Sequence, residues 1–149
     1  MTKVMTKRVD ARSDMICRRI TVNRSRTPRE MVKATKRNEY VYDAVDTMPR
    51  GEGEEVDVYF FKLGRMVKVG DLAKEYELRG LVPDHYAHGA VNEIDPAFAD
   101  EHPNGTQWQE KNGKYCCLCF NRWFDLRDVY CDRRGSGWGG NWWFAGVRK

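Results

Sequence analysis

All five tryptophans of the chain, Trp108, Trp123, Trp138, Trp142 and Trp143, and four of its five cysteines fall between Thr106 and Lys149. No other stretch constrains the fold as much. Asn112-Gly113 separates two apolar-rich runs, the strongest short-range hairpin signal. The stretch reads as an antiparallel meander: TQWQE, KYCCLCFNRWF, RDVYCDRR and, after a glycine-rich loop, NWWFAGV. Side chains alternate faces along a strand. Over 114–124, Cys116, Leu118, Phe120 and Phe124 share one face, and Tyr115, Cys117, Cys119, Asn121 and Trp123 share the other. Neither face is polar, so this strand is expected to be central and covered on both sides. Val129 and Cys131 oppose Tyr130 in the next strand, and Trp143, Ala145 and Val147 oppose Trp142, Phe144 and Arg148 in the last. Full burial of a Trp or Phe contributes about 3 kcal/mol, so most of these rings are expected in the core. The alternative use of such rings is a stacking platform for single-stranded bases, with Arg122, Arg127, Arg133 and Arg134 interleaved.

A chain of 149 residues is the size of one domain. No run of 18 apolar residues exists, so no membrane span is expected, and the basic start, MTKVMTKRVDARSD, lacks the apolar core of a secretory signal. An odd number of cysteines, two of them adjacent at Cys116-Cys117, suits a reduced, cytoplasmic setting better than a disulfide framework.

The net charge is +4, unevenly spread. Residues 1–37 carry twelve Lys and Arg against three acids, net +9; residues 38–110 carry six against sixteen, net −10; residues 111–149 carry eight against three, net +5. Such blocks fit a polyanion-binding arm. They equally fit basic and acidic segments that neutralise each other within one fold. The acidic residues Asp43, Asp46, Glu52, Glu54, Glu55 and Asp57 read as a solvated face or as a mimic of a nucleic-acid backbone.

Elsewhere, residues 15–23 form an expected strand, with Arg18 on the apolar parity and therefore at an edge or an end. Thr27, Pro28 and Glu30 form a capping box with proline at the first helical position. The helix runs to about Lys36, buries Met31, Ala34 and Val32, and exposes Arg29, Lys33, Lys36 and Arg37. Residues 40–45 fit a short strand or a helical turn, and 56–63 alternate as a strand. Helices are expected over 71–80, with Leu72, Tyr76 and Leu78 inward, and over 84–94, with Tyr86, Ala90, Val91 and Ile94 at helical spacing, restarting at Asp95-Pro96. Asn104-Gly105 reads as a turn into the meander.

The phrases RTPREMVKAT, PRGEGEEVDVYFFKLGR, EYELRGLVPDHYAHGAVNEIDPAFADEHPNGTQW and WWFAGVRK resemble a family of short uncharacterised proteins of bacteria and their prophages, over about residues 26–149. The resemblance implies a bacterial, phage or mobile-element origin. It brings no activity and no catalytic residue.

Several constellations bear on chemistry. Cys116, Cys117, Cys119 and Cys131 with His85, His88 and His102 supply zinc-type ligands, but strand spacing separates the thiols onto opposite faces, and structural zinc favours Cys-x2-Cys knuckles. Buried thiols are the alternative. His85 and His88 share one helical face and read either as a metal pair or as solvent-facing residues. No Ser elbow, phosphate loop or dinucleotide fingerprint occurs. Gly135–Gly140 joins two strands and reads as a hairpin loop, with Arg133, Arg134 and Trp138 making it a candidate contact loop.

The sequence therefore predicts an α+β protein: a flexible basic arm over 1–14, then a single domain over 15–149. That domain has a largely antiparallel sheet, a C-terminal aromatic-rich meander and two or three packed helices. The expected function is a non-enzymatic interaction protein binding a nucleic acid or a host nucleoprotein through charged surfaces, at Arg29, Lys33, Lys36, Arg37, Arg133, Arg134 and Trp138. No catalytic residue, metal, cofactor, membrane or small-molecule substrate is expected. The alternatives are a small cysteine- or metal-dependent enzyme and a structural subunit.

Overall fold

The computed structural model describes residues 14–149. The expected basic arm over 1–14 lies outside them, apart from Asp14. The elements are β1 (Ile16–Thr21), α1 (Pro28–Ala34), β2 (Asn38–Val41), a 3-10 turn (Asp43–Thr47), β3 (Glu55–Lys62), β4 (Val67–Lys68), α2 (Val69–Leu78), β5 (Leu81–Val82), α3 (His85–Ile94), α4 (Phe98–Glu101), β6 (Asn104–Gln109), β7 (Tyr115–Trp123), β8 (Leu126–Arg133), β9 (Gly137–Trp138) and β10 (Trp143–Arg148). The class is α+β, as the sequence indicates. A large, mostly antiparallel sheet runs in the order β1-β3-β10-β6-β7-β8-β2, with β5 pairing the end of β10. A second, two-stranded sheet pairs β4 with β9.

The alternation of β7 divides the core. Cys116, Leu118 and Phe120 join Met31 and Val32 of α1, Tyr86, Ala87 and Val91 of α3 and Phe98 and Ala99 of α4. Cys117 and Cys119 join Leu72 and Tyr76 of α2, Trp138 of β9 and Phe144 of β10 on the far face. Both parities of β10 follow the expected assignment, with Ala145 on the helical face and Phe144 on the far face. Trp138 packs closely on the far face because Gly105 of β6 has no side chain there; a Cβ at that position would stand 2.5 Å from the indole ring.

Local signals act as expected at α1. The Thr27 hydroxyl accepts from the Glu30 amide at 3.1 Å while the Glu30 carboxylate accepts from the Thr27 amide at 2.7 Å. Arg18 does take an inward parity on the edge strand β1, where its guanidinium stacks 4.9 Å from the Phe98 ring. At α3, Asp84 caps the Ala87 amide at 3.0 Å and grips Arg24 through both carboxylate oxygens at 2.7 and 2.9 Å.

Four expectations are corrected. The last strand does not follow β8 in a meander. It lies between β3 and β6, antiparallel to the first and parallel to the second. The glycine-rich segment is accordingly a crossover, not a hairpin loop, and it is anchored where β9 pairs with β4. Asn104-Gly105 begins β6 rather than turning into it. Leu78 and Ile94 are exposed, because each sits at the last position of its helix, beyond the reach of the sheet.

Phe120 is fully buried at the centre of β7, whereas Trp143 is only half-buried. Phe120→Ala is expected to lower the unfolding free energy by about 3–5 kcal/mol. Trp143→Ala is expected to cost less than half as much. Urea denaturation of both variants checks the ranking.

Candidate interaction surface

The seven residues expected to contact a partner separate into three groups. Arg29 is gripped by Asp46 at 3.0 and 3.1 Å, and Lys33 lies 3.6 Å from Glu39. Arg133 takes both oxygens of Glu110, at 2.8 and 3.0 Å, and Asp43 at 2.8 Å. These charges are answered within the fold. Arg37 and Trp138 are interior. Arg37 donates to the carbonyls of Asp128, Pro96 and Asn121, each at 3.1 Å, and ties α1 to the β7–β8 hairpin. Trp138 is fully buried, its indole N–H donating to Gln107 at 2.8 Å. Its expected place in an exposed contact loop is therefore corrected. Arg134, half-buried, stacks 4.3 Å from the Trp138 ring and donates to the Gly137 carbonyl at 2.8 Å. Of the six cations among the seven, Lys36 alone has neither an ion pair nor a side-chain hydrogen bond among the described residues.

Charges are answered within the fold at three of the other four arginines of the described basic block as well, Arg18 being the exception. Arg19 pairs with Glu55 and Asp57, Arg24 with Asp84, and Arg26 with Glu93. The acids proposed as a nucleic-acid mimic are thus largely the partners of the fold's own arginines: Asp43, Asp46, Glu55 and Asp57 all stand in these pairs. Of the two readings of the charge blocks, mutual neutralisation describes five of the eight cations in residues 14–37: Arg19, Arg24, Arg26, Arg29 and Lys33.

The histidines form an interior polar chain rather than a solvent-facing pair. His85 and His88 are buried, one turn apart on the sheet-facing side of α3. Thr106 Oγ1 stands 2.9 Å from His85 Nδ1 and 3.1 Å from His88 Nδ1, and His88 Nε2 stands 2.7 Å from Asn104 Oδ1. One tautomer set satisfies every member: His85 Nδ1–H donates to Thr106, Thr106 donates to His88 Nδ1, and His88 Nε2–H donates to Asn104. Asn92 and Asn104 complete the chain with reciprocal amide bonds at 2.8 and 3.3 Å. A fully satisfied network of this kind fixes the seating of α3 on β6.

The thiols are also distributed by parity. Cys116 and Cys131 lie on the helical face, Cys117 and Cys119 on the far face, and all five cysteines are free. Burial pushes the Cys116 thiol up to about 11, and also raises Cys131. Within the far-face pair, Cys117 is pulled below its ordinary value by a hydrogen bond from Cys119 and then by the Arg134 guanidinium, while burial drives Cys119 upward. No cysteine hydrogen-bonds a histidine among the described residues. Nor do any three His, Cys, Asp or Glu residues among them converge as metal ligands.

Part of the exposed surface is apolar. Of the ten large hydrophobic residues at the surface, six belong to one end of the sheet: Tyr40, Tyr42, Trp123, Phe124, Leu126 and Tyr130. There α2 and β9 no longer cover the far face. Tyr40 and Tyr130 stack at 4.7 Å across β2 and β8, nearly parallel at 12°. At the tip of the β7–β8 hairpin Trp123 is 63% exposed and Phe124 80%. Phe124 holds a left-handed backbone, φ 55°, which costs a non-glycine residue about 1 kcal/mol or more. The tip is braced. Arg122 donates to the Phe124 carbonyl at 2.8 Å, and Arg122 and Arg127 share the Asp100 carboxylate of α4. Sequence reasoning missed this surface because Trp123 and Phe124 are core-type residues at the end of a core strand.

Comparison with family models, with curated proteins and with solved structures gives no match. No helix among the described residues is long and apolar enough to cross a membrane.

The buried histidines set an acid limit on the fold. Burial pushes both imidazoles from 6.5 down to about 3, so they are neutral in the native state. The unfolded chain takes up two more protons as pH falls below 6.5. Stability is therefore complete above pH 6.5 and declines toward pH 3, by up to about 2.7 kcal/mol per pH unit for the pair. His85→Gln should roughly halve the histidine share of that slope. Chemical denaturation from pH 7 to 4.5 measures it.

Proposed function

We propose that the protein is a non-enzymatic interaction module that engages a protein partner, of the nucleoprotein type that its basic overall balance suits, through the hairpin tip of Trp123, Phe124 and Leu126. The observation that carries this reading is Phe124: a large apolar ring kept 80% exposed on a strained, left-handed backbone. Glycine would hold the same turn without strain, and the ring's one aromatic contact among the described residues is with Trp123, itself exposed, at 4.9 Å. Exposed Trp and Tyr beside Arg are the composition of interface hot spots, and Lys36, Arg122 and Arg127 line a shallow pocket with Leu126 and Asp125 beside the tip. The pairing of Arg29, Lys33 and Arg133 within the fold moves the reading away from a charged docking surface and toward this aromatic one. Five free thiols support a reducing, cytoplasmic setting. The resemblance to prophage proteins supports a phage or mobile-element origin.

Phe124→Gly separates function from folding. The variant is expected to be at least as stable as the parent, by up to about 1 kcal/mol, while quantitative affinity capture from a nuclease-treated bacterial lysate loses the partners that the parent retains. Capture abolished by nuclease alone favours a nucleic acid stacking on the tip. Identical capture by both proteins rejects the tip as the binding surface.

A further inference from the structure

We infer that the protein forms a twofold homodimer by antiparallel pairing of β2 with β2 of a second copy. The inference stands apart from the reading of the hairpin tip. β2 is the last strand of the sheet and pairs only with β8. In a parallel ladder alternate residues direct both backbone polar groups to the neighbouring strand. The Tyr42 amide donates to the Cys131 carbonyl at 2.9 Å, which assigns Tyr40 and Tyr42 to β8. The N–H and C=O groups of Glu39 and Val41 therefore point away from the sheet, and no described backbone group bonds them.

Those two residues lie symmetrically about Tyr40. Antiparallel pairing centred on Tyr40 sets Glu39 of each copy opposite Val41 of the other, and all eight outward groups close into four hydrogen bonds. Tyr40 then faces its own copy as a closely spaced non-hydrogen-bonded pair. The stacked rings of Tyr130 and Tyr40 in one copy continue into those of the other.

Charge selects the same arrangement. The segment before β2 is basic, with Lys33 and Lys36, and the segment after it is acidic, with Asp43 and Asp46, side chains 78% and 57% exposed. Antiparallel pairing lays the basic flank of each copy beside the acidic flank of the other, twice, whereas parallel pairing sets like against like. Glu39 meets Val41 and not a second glutamate. The opposite edge of the sheet, β1, carries Arg18 and Arg19 at its middle, so a central antiparallel pairing there would oppose arginines.

The experiment is sedimentation velocity with light scattering over a concentration series of the full chain. The parent protein is expected to dimerise. Tyr40→Asp, which places like charges on the twofold axis, and Val41→Pro, which removes an outward amide that the fold does not use, should each weaken the dimer by more than 100-fold with an unchanged circular dichroism spectrum. Lys36→Glu should weaken it, and Lys36→Glu with Asp43→Lys should recover it. Phe124→Gly should leave it intact, so that loss of partner capture and loss of the dimer are distinguishable. A parent protein that stays monomeric at every concentration, or a dimer indifferent to Tyr40→Asp and Val41→Pro, overturns the inference.

Discussion

Two-sided burial of β7 is the constraint on which the rest of the structure depends. With Leu118 and Phe120 turned to one side and Cys117 and Cys119 to the other, the strand requires cover on both faces. Everything else in the chain supplies it. α1, α3 and α4 close one side, and α2 with the small β4–β9 sheet closes the other. Small side chains along β7 matter as much as large ones: cysteine is a compact apolar residue, and the three on β7, Cys116, Cys117 and Cys119, let the layers approach the sheet closely. The layers also differ in chemistry. The helical side is seated by the His85–Thr106–His88–Asn104–Asn92 chain, whose members bond across from α3 to β6 and so set the register of one on the other. The far side is seated by Trp138, packed against Gly105.

The electrostatic organisation follows from the same compactness. A chain with separate basic and acidic blocks can keep one block free or close the two upon each other. Here Arg24 spans from the end of β1 to the cap of α3, and Arg133 reaches Asp43 and Glu110 together. Most of these pairs are at least partly solvated, and each contributes little to stability. Their larger effect is on the surface potential: paired guanidinium groups present little net field to a polyanion. On the proposed reading recognition falls to the aromatic tip, and the cations near it, Arg122 and Arg127, brace it.

Much of the fold was legible in the sequence because it is written in short-range patterns. The parities of β7, β8 and β10, the capping box of Thr27 and Glu30 and the turn at Gly113 need only local information. The site was legible far less. Strand pairing is not encoded in periodicity, so β10 was expected beside β8 although it lies beside β3 and β6. The spacing of His85 and His88 identifies a shared helical face but not what covers it. Block sums of charge cannot show that Arg29 meets Asp46, or that Arg133 meets Asp43 from across the chain. Trp123 and Phe124 carry the residue types of a core, and only the geometry of the turn reveals that they project from it.

The position of β10 has a consequence for how the protein is made. The strands before it fall into two groups, β1–β3 on one side and β6–β7–β8–β2 on the other, and no other strand bridges them within the main sheet. During synthesis each group emerges with an unpaired edge, β3 in one and β6 in the other. Neither edge can be closed until Trp143–Arg148 has left the ribosome. β10 is synthesised after every strand it joins, so until it emerges the nascent chain presents two open edges, carrying Val, Phe and Trp, to whatever surrounds it, and open edges of that kind are sites of aberrant pairing until the strand between them is inserted.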